Sequence, residues 1–400
     1  MNILFLSIVR FLDIADRGIY TDLIRKFMTE GHKVHVVYPS ERRYKEQTGL
    51  KIGRDLSLLK VKTLNIQKTG FIEKGLAILI LEWQFLYQIK KHYSNIKFDL
   101  VLYSTPPITF TNAVKYIKNR DCSTSYLLLK DIFPQNAVDL GLINKGGFLY
   151  KYFRKKEKSL YNISDCIGCM SQANVGFILN HNPQINKNKV EVNPNSIEPV
   201  LQTLKDDERF SIRLSYGITT SSVVCIYGGN LGIPQGIGFL IQVLLSNKEN
   251  PNVFFVIVGD GTEYVSIERT INLNKINNVL LKKSLAKPDY DSLLLACDVG
   301  LIFLDKRFTI PNFPSRMLSY MEARIPMLAA TDVNTDIGKI MEDNEFGFWA
   351  ESGDLEKFNQ NLNSLLIDKN KCRIMGENAY RFMLENYLVR YSYEKIMKRI

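Results

Sequence analysis

The chain has 400 residues, too many for one typical core and comfortable for two domains of about 150–200 residues each. With 46% hydrophobic and 23% charged residues it has the composition of a folded globular protein, which excludes intrinsic disorder. The net charge of +11 belongs to the first half: residues 1–200 hold 29 Lys/Arg against 17 Asp/Glu and the remainder 23 against 24, so an anionic partner is expected there, whether nucleic acid, phospholipid or a phosphorylated acceptor.

The opening strand, Asn2–Val9, is a nearly continuous apolar run, as in a strand covered on both faces. It meets Arg10 and Asp13 with no small-residue cleavage site, so no signal peptide is expected. A helix over Tyr20–Glu30 ends at Gly31, and His32–Tyr38 is the next strand. The longest apolar run, Leu76–Leu81, is broken by Glu82, far short of the roughly 20 residues that a spanning helix needs. The expected location is cytoplasmic, with at most peripheral contact on the inner face of the cell membrane.

Strands follow at Asp99–Tyr103, Ser125–Leu129, Cys166–Met170 and Val190–Asn193, most of them separated by helix-length segments. Phe148–Tyr161 mixes aromatics with Lys151, Arg154, Lys155, Lys156 and Lys158, an amphipathic basic stretch suited to anionic lipid or to a solvated helix face. No recognition motif accompanies the charge, so nucleic acid is not expected as a partner. Cys166 and Cys169 are the only close cysteine pair and lack two further ligands at matching spacing, so they are expected to pack in a strand and no metal is expected.

After the polar stretch around Pro199–Glu208 the pattern restarts, with strands Val223–Tyr227, Val253–Val258, Val279–Leu281, Val299–Leu304 and Met327–Ala330. The fold class is therefore α/β: two Rossmann-like domains, each with a mostly parallel sheet, facing a cleft. Residues 1–200 and 201–385 are the expected domains, and 386–400 a terminal helix packing back on the first.

Three segments carry the chemistry. Val223–Tyr227 runs into Gly228-Gly-Asn-Leu-Gly-Ile-Pro-Gln-Gly236 and an apolar helix; glycines there let backbone approach a ligand, and a helix N-terminus offers amides to a phosphate. Val258-Gly259-Asp260-Gly261 closes the next strand similarly, although such turns are common. In Pro311–Pro326, Pro314 and Ser315 suit a helix start with Ser315 as cap, while Arg316 is a cation misplaced against the helix dipole unless an anion binds there too. A diphosphate satisfies both the amides and the forked guanidinium. Asp131, after Lys130 at the end of strand Ser125–Leu129, either orients a sugar hydroxyl or caps the segment from Ile132.

The order and spacing of Gly31-His-Lys-Val-His35, Ser104-Thr-Pro-Pro107, Asp131-Ile-Phe-Pro134, Asp139-Leu-Gly-Leu142, Pro194-Asn195, Gly229-Asn-Leu-Gly232, Gly259-Asp-Gly261, Pro314-Ser-Arg316 and Gly353-Asp354 resemble the family 4 retaining glycosyltransferases of GT-B fold. The resemblance is greatest to the capsule and O-antigen subgroup that includes fucosamine transferases. It implies a hexosyl-type transfer from a nucleotide-diphosphate sugar, with uridine the expected base, to a lipid-linked surface-polysaccharide precursor, with retention and without a metal. The first domain then takes the acceptor and the second the donor.

Carried over by position, Asp131 and Arg316 are the expected catalytic residues. Gly18, Gly229, Asn230, Gly232, Gly259, Asp260, Gly261, Pro314, Ser315, Arg316, Ser319 and Glu322 are the expected donor contacts. The chain departs from the family at Pro311 and Ser319, which stand where two glutamates are usual, and at Asn230 and Gln235, which replace an arginine and a lysine. Lys130 stands where a histidine is common, and Gly18 where a glycine pair is common. Arg316 is expected to make up the lost charge and Glu322 to reach the ribose. A nucleotide-sugar 2-epimerase of similar fold and a catalytically silent partner in polysaccharide assembly are the competing readings.

Overall fold

The computed structural model describes residues 1–66, 69–200, 203–218 and 221–400. The chain forms two compact units, Met1–Glu198 with Val389–Ile400, and Pro199–Leu388.

The first unit runs β1 (Asn2–Leu6), α1 (Ile19–Thr29), β2 (Lys33–Glu41), β3 (Gly49–Ile52), β4 (Leu56–Thr63), α2 (Phe71–His92), β5 (Leu100–Ser104) and α3 (Thr111–Asp121). It continues with β6 (Thr124–Leu129), α4 (Gln135–Asp139), α5 (Phe148–Ile163), β7 (Cys166–Cys169), α6 (Gln172–His181) and β8 (Val190–Val192). Its sheet has the order β3-β4-β2-β1-β5-β6-β7-β8, parallel throughout except for the β3–β4 pair. β1 is shorter than its apolar run: the Ser7 amide makes a last bond to Val37, and the Val9 amide then turns back onto Ser7 Oγ.

The second unit runs α7 (Asp206–Ser215), β9 (Val223–Asn230), α8 (Ile237–Ser246), β10 (Val253–Asp260), α9 (Tyr264–Leu273), β11 (Val279–Lys282), α10 (Lys287–Leu295) and β12 (Val299–Phe303). Then come α11 (Arg316–Glu322), β13 (Met327–Thr331), α12 (Ile337–Asp343), β14 (Gly347–Glu351), α13 (Leu355–Ile367) and α14 (Lys369–Asn386). All six strands are parallel, in the order β11-β10-β9-β12-β13-β14, so the direction of winding reverses between β9 and β12. One face is closed by a cluster of Phe239, Phe303 and Phe358, with ring centroids 5.5–6.1 Å apart.

The last helix, α15 (Val389–Met397), belongs to the first unit. It packs on α1, with the Tyr393 ring 5.2 Å from that of Phe27 and its hydroxyl 3.1 Å from His32 Nε2. Both units are thus α/β layers around parallel sheets whose strands are apolar because helices cover both faces.

Candidate functional site

In open α/β sheets a ligand crevice forms where the winding reverses, at the carboxyl ends of the strands. In the second unit this is the β9–β12 seam. β9 pairs with β10 along its whole length, ending in Gly259 opposite Gly229 and Asp260 opposite Asn230. It pairs with β12 only at Cys225 and Ile226. Beyond Ile226 the two strands part, and Tyr227, Gly228 and Gly229 continue β9 without a partner on that side. Gly228 and Gly229, expected between strand and helix, therefore belong to the end of the strand, Gly228 buried and Gly229 exposed.

Arg316, the first residue of α11, reaches into this gap. Its guanidinium carbon lies 4.2 Å from the centroid of the Tyr227 ring, and a Cβ added at Gly229 would sit 3.1 Å from Nη2. Gly229 has φ 136°, so both conformation and space favour glycine. Tyr320, one helical turn beyond Arg316, accepts the Gly228 amide at 3.3 Å and donates to the Leu301 carbonyl at 3.1 Å. A Cβ on Gly228 would lie 2.0 Å from Tyr290 Oη. Arg316 is thus held among Tyr227, Tyr290 and Tyr320 against a bare backbone.

These tyrosines do not neutralise it. Burial pushes the Tyr320 phenol up to about 12 and raises those of Tyr227 and Tyr290, so all three stay uncharged near neutrality. Arg316 Nη1 is buried with no hydrogen-bond partner, and among the described residues no carboxylate lies within ion-pair distance of the side chain. A buried donor on a cation without an acceptor costs stability, and an anionic ligand removes that cost.

The neighbouring expected residues converge on the same end of the sheet. The Leu231 amide bonds the Asp260 carbonyl at 2.8 Å, and the Glu263 amide bonds the Leu231 carbonyl at 2.9 Å. Any side chain at Gly259 would meet the Gly229 carbonyl at 1.8 Å, and any at Gly261 the Leu231 carbonyl at 2.2 Å. Asn230 Nδ2 donates to Gln235 Oε1 at 2.7 Å, so the two uncharged replacements hold each other across the loop that contains Gly232. Ser315 sits at the N-cap of α11 but makes no capping hydrogen bond, because its backbone is already helical (φ −61°, ψ −21°) and turns the hydroxyl away from the first amides. With seven residues and no cap, α11 is a weak dipole, and Arg316 dominates the charge at this end. Pro314 precedes it, Ser319 is half-buried on the same helix, and the Glu322 carboxylate accepts the Val200 amide at 2.8 Å.

Two expected residues lie in the first unit. Gly18 begins α1: its carbonyl accepts the Asp22 amide at 2.8 Å and its own amide donates to Asp22 Oδ1 at 3.1 Å. Asp131 does not cap a helix, since α4 starts only at Gln135. Its two carboxylate oxygens accept from Asn136 Nδ2 at 2.9 and 2.8 Å, and Thr105 ties its backbone down.

Beside Asp131, Lys130 lines a water-sized cavity of about 10 Å³ with Tyr20, Asn195 and Ser392, and its ammonium lies 3.4 Å from the Asn193 carbonyl. Burial lowers its pKa from 10.5 to about 7, with Cys169 opposing slightly. Since the folded value is depressed, the unfolded chain binds more protons between those limits, and stability should rise with pH across that window. Lys130→Met, with no ammonium to desolvate, should flatten the rise. Thermal melts of both proteins at about pH 6, 8 and 10 check this, and parallel curves would overturn it.

Sequence reasoning missed the three tyrosines. Only Tyr320 carried a signal, four residues beyond Arg316 on a helix; Tyr227 and Tyr290 come together with it through the fold. Cys166 and Cys169 are buried in β7, and among the described residues no three His, Cys, Asp or Glu converge as a metal would require.

Residues 208–382 match the family Glycosyl transferases group 1. Over 287 residues, covering 70% of this chain and 69% of the relative, the sequence is 22% identical to WbjE of Pseudomonas aeruginosa, a probable glycosyltransferase. N-acetyl-alpha-D-glucosaminyl L-malate synthase of Bacillus anthracis is 25% identical over 177 residues, 44% of each chain. Among solved structures, Anabaena HepE in complex with UDP and glucose has a TM-score of 0.72 at 17% identity, covering 100% of this chain and 98% of its own. Sucrose-phosphate synthase of Thermosynechococcus elongatus reaches 0.78 at 12%, covering 99% and 97%. Residues 208–382 are therefore similar to the group 1 glycosyltransferases, in a chain with the α/β GT-B fold.

Proposed function

We propose that the protein transfers a sugar from a uridine-diphosphate sugar to a lipid-linked surface-polysaccharide precursor, with retention at the anomeric carbon. The observation that carries this reading is Arg316, a half-buried side chain whose buried Nη1 donor is unfilled, set against the bare backbone of Gly229. The UDP complex of the similar HepE supports the choice of nucleotide.

In the reaction the bond from the anomeric carbon to the diphosphate oxygen breaks, and negative charge grows on the departing diphosphate. The acceptor hydroxyl oxygen bonds to the same face of that carbon, and its proton passes to the leaving phosphate. Arg316 meets the growing charge in a site already desolvated, so its stabilisation is larger in the transition state than in the ground state. The three neutral phenols leave that charge undiminished. We assign donor binding to the second unit, with Ser319 and Glu322 as proposed nucleotide contacts, and acceptor binding to the first, where Asp131 would orient the hydroxyl. Arg316 takes the role a metal ion would fill, so EDTA should leave the rate unchanged.

Incubation with UDP-sugars, with and without lipid-linked acceptors, tests the reading. UDP release that depends on acceptor is the expected result. Conversion of the donor without acceptor would make the protein an epimerase, and nucleotide binding without turnover a silent partner; either outcome overturns the proposal.

A further inference from the structure

Helix α2 buries Ala77, Leu81, Phe85 and Ile89 on its inner face, yet its outer face is apolar too. Its carboxylate Glu82 is buried and holds the Asn112 side chain at 2.9 Å, whereas Trp83 and Tyr87 are 62% and 63% exposed. Leu76, Leu79 and Ile80 are exposed as well, so the five side chains form one stripe at three- and four-residue spacing, roughly 16 Å long. Lys90 and Lys91 continue it at the helix end, with Lys90 packed over the Tyr116 ring of α3. Isolated exposed apolar residues are ordinary; a contiguous stripe with two aromatics is not.

The charge around the stripe says what covers it. From Gly75 onward, α2, α3 and α5 contain three carboxylates, Glu82, Asp121 and Glu157, and all three are buried. The exposed ionisable side chains of the same helices are Lys90, Lys91, Lys115, Lys151, Lys155 and Lys158. Apart from Glu73 in the first turn of α2, which is paired with Arg42, this helical layer keeps its carboxylates inside and exposes lysine outside. A second copy of the chain would set lysines against lysines across a two-fold interface. An anionic bilayer instead attracts them, while Trp, Tyr and the aliphatic stripe enter the headgroup boundary.

We propose that the outer face of α2, flanked by these lysines, docks the first unit on an anionic lipid surface. The inference rests on the lipid-linked-acceptor reading for its purpose, since docking would bring the first unit to the plane where such an acceptor is anchored. Its geometry stands apart from that reading. The basic stretch around residues 148–161 supplies lysines and, at its start, the exposed Phe148 and Leu149, but the continuous apolar stripe lies on α2; Phe153 of α5 is turned onto Phe133, with ring centroids 5.0 Å apart. No helix among the described residues is long and apolar enough to cross a membrane, so this contact is interfacial.

The test is co-sedimentation of the full chain, without donor or acceptor, with vesicles of phosphatidylcholine alone or with one-third phosphatidylglycerol. The protein should bind the anionic vesicles and not the neutral ones. Trp83→Ser with Tyr87→Ser should weaken binding about tenfold, and Lys90→Glu with Lys91→Glu by a similar factor. Circular dichroism and UDP affinity of each variant, both expected to match wild type, separate loss of docking from loss of fold or of donor binding. Wild type that ignores both vesicles, or a Trp83/Tyr87 variant that binds as well as wild type, would overturn the proposal. So would a dimer that the aromatic variant turns into a monomer without any vesicle binding.

Discussion

Arg316→Ala should lower UDP affinity by about 3 kcal/mol, roughly a hundredfold in Kd, because it removes the charged donor from a buried anion contact. Calorimetry or a fluorescent nucleotide measures it directly. Arg316→Met, which keeps apolar bulk against Tyr227, should lose the same affinity and yet leave the fold as stable as wild type or about 1 kcal/mol more so. The reason is the unfilled Nη1 donor: in the free protein that nitrogen is buried without a carboxylate or phosphate to compensate. A structural arginine behaves in the opposite way, since its removal strands buried partners. Arg316 leaves no carboxylate behind, and Tyr227 keeps its 2.7 Å bond to the Asn230 carbonyl, so affinity and stability should move in opposite directions. A methionine variant that melts well below wild type and still binds UDP would refute the assignment.

What was legible in the chain follows from where burial is complete. β1, β2, β5, β6, β9, β10, β12 and β13 are covered on both faces, so they read as apolar runs and were located to within a few residues; β11, a half-buried edge strand, was found from its three apolar residues. β3 and β4 escaped: β3 is an edge strand with Gly49, Lys51 and Ile52 exposed, and β4 alternates polar and apolar residues with lysines at 60 and 62. β14 escaped because Phe348 and Trp349 are only half-buried in a short strand that opens on a glycine.

At the site, the misfit of Arg316 at a helix start was visible in sequence because it violates a local rule. Its three phenol neighbours were not, because they come from β9, α10 and α11 and meet only through the parting of β9 from β12. The apolar outer face of α2 was equally hidden. Glu82 looked like a polar interruption of an apolar run, and only the position of Asn112 shows that it points inward.

Three glycine substitutions should separate the framework of the site from its contacts. Gly259→Ala places a methyl 1.8 Å from the Gly229 carbonyl, a collision of backbone with backbone that no rotamer relieves. The β9–β10 ladder must open, at a cost of about 3 kcal/mol or more, which for a unit of this size is about 10 °C in Tm. Nucleotide affinity should fall with it, because Gly229 and Arg316 move together. Gly228→Ala collides at 2.0 Å with Tyr290 Oη, the far end of a side chain that can swing aside. It should cost the fold less, about 1 kcal/mol, while the displaced phenol enters the crevice and weakens UDP binding. Gly238→Ala meets nothing within 4 Å inside α8 and should raise stability by about 0.5 kcal/mol through helix propensity alone, with affinity unchanged. Thermal melts with parallel UDP titrations read all three. Equal losses at Gly259 and Gly228 would mean that Tyr290 is as immovable as the backbone, and that the crevice is part of the core rather than a place for a ligand.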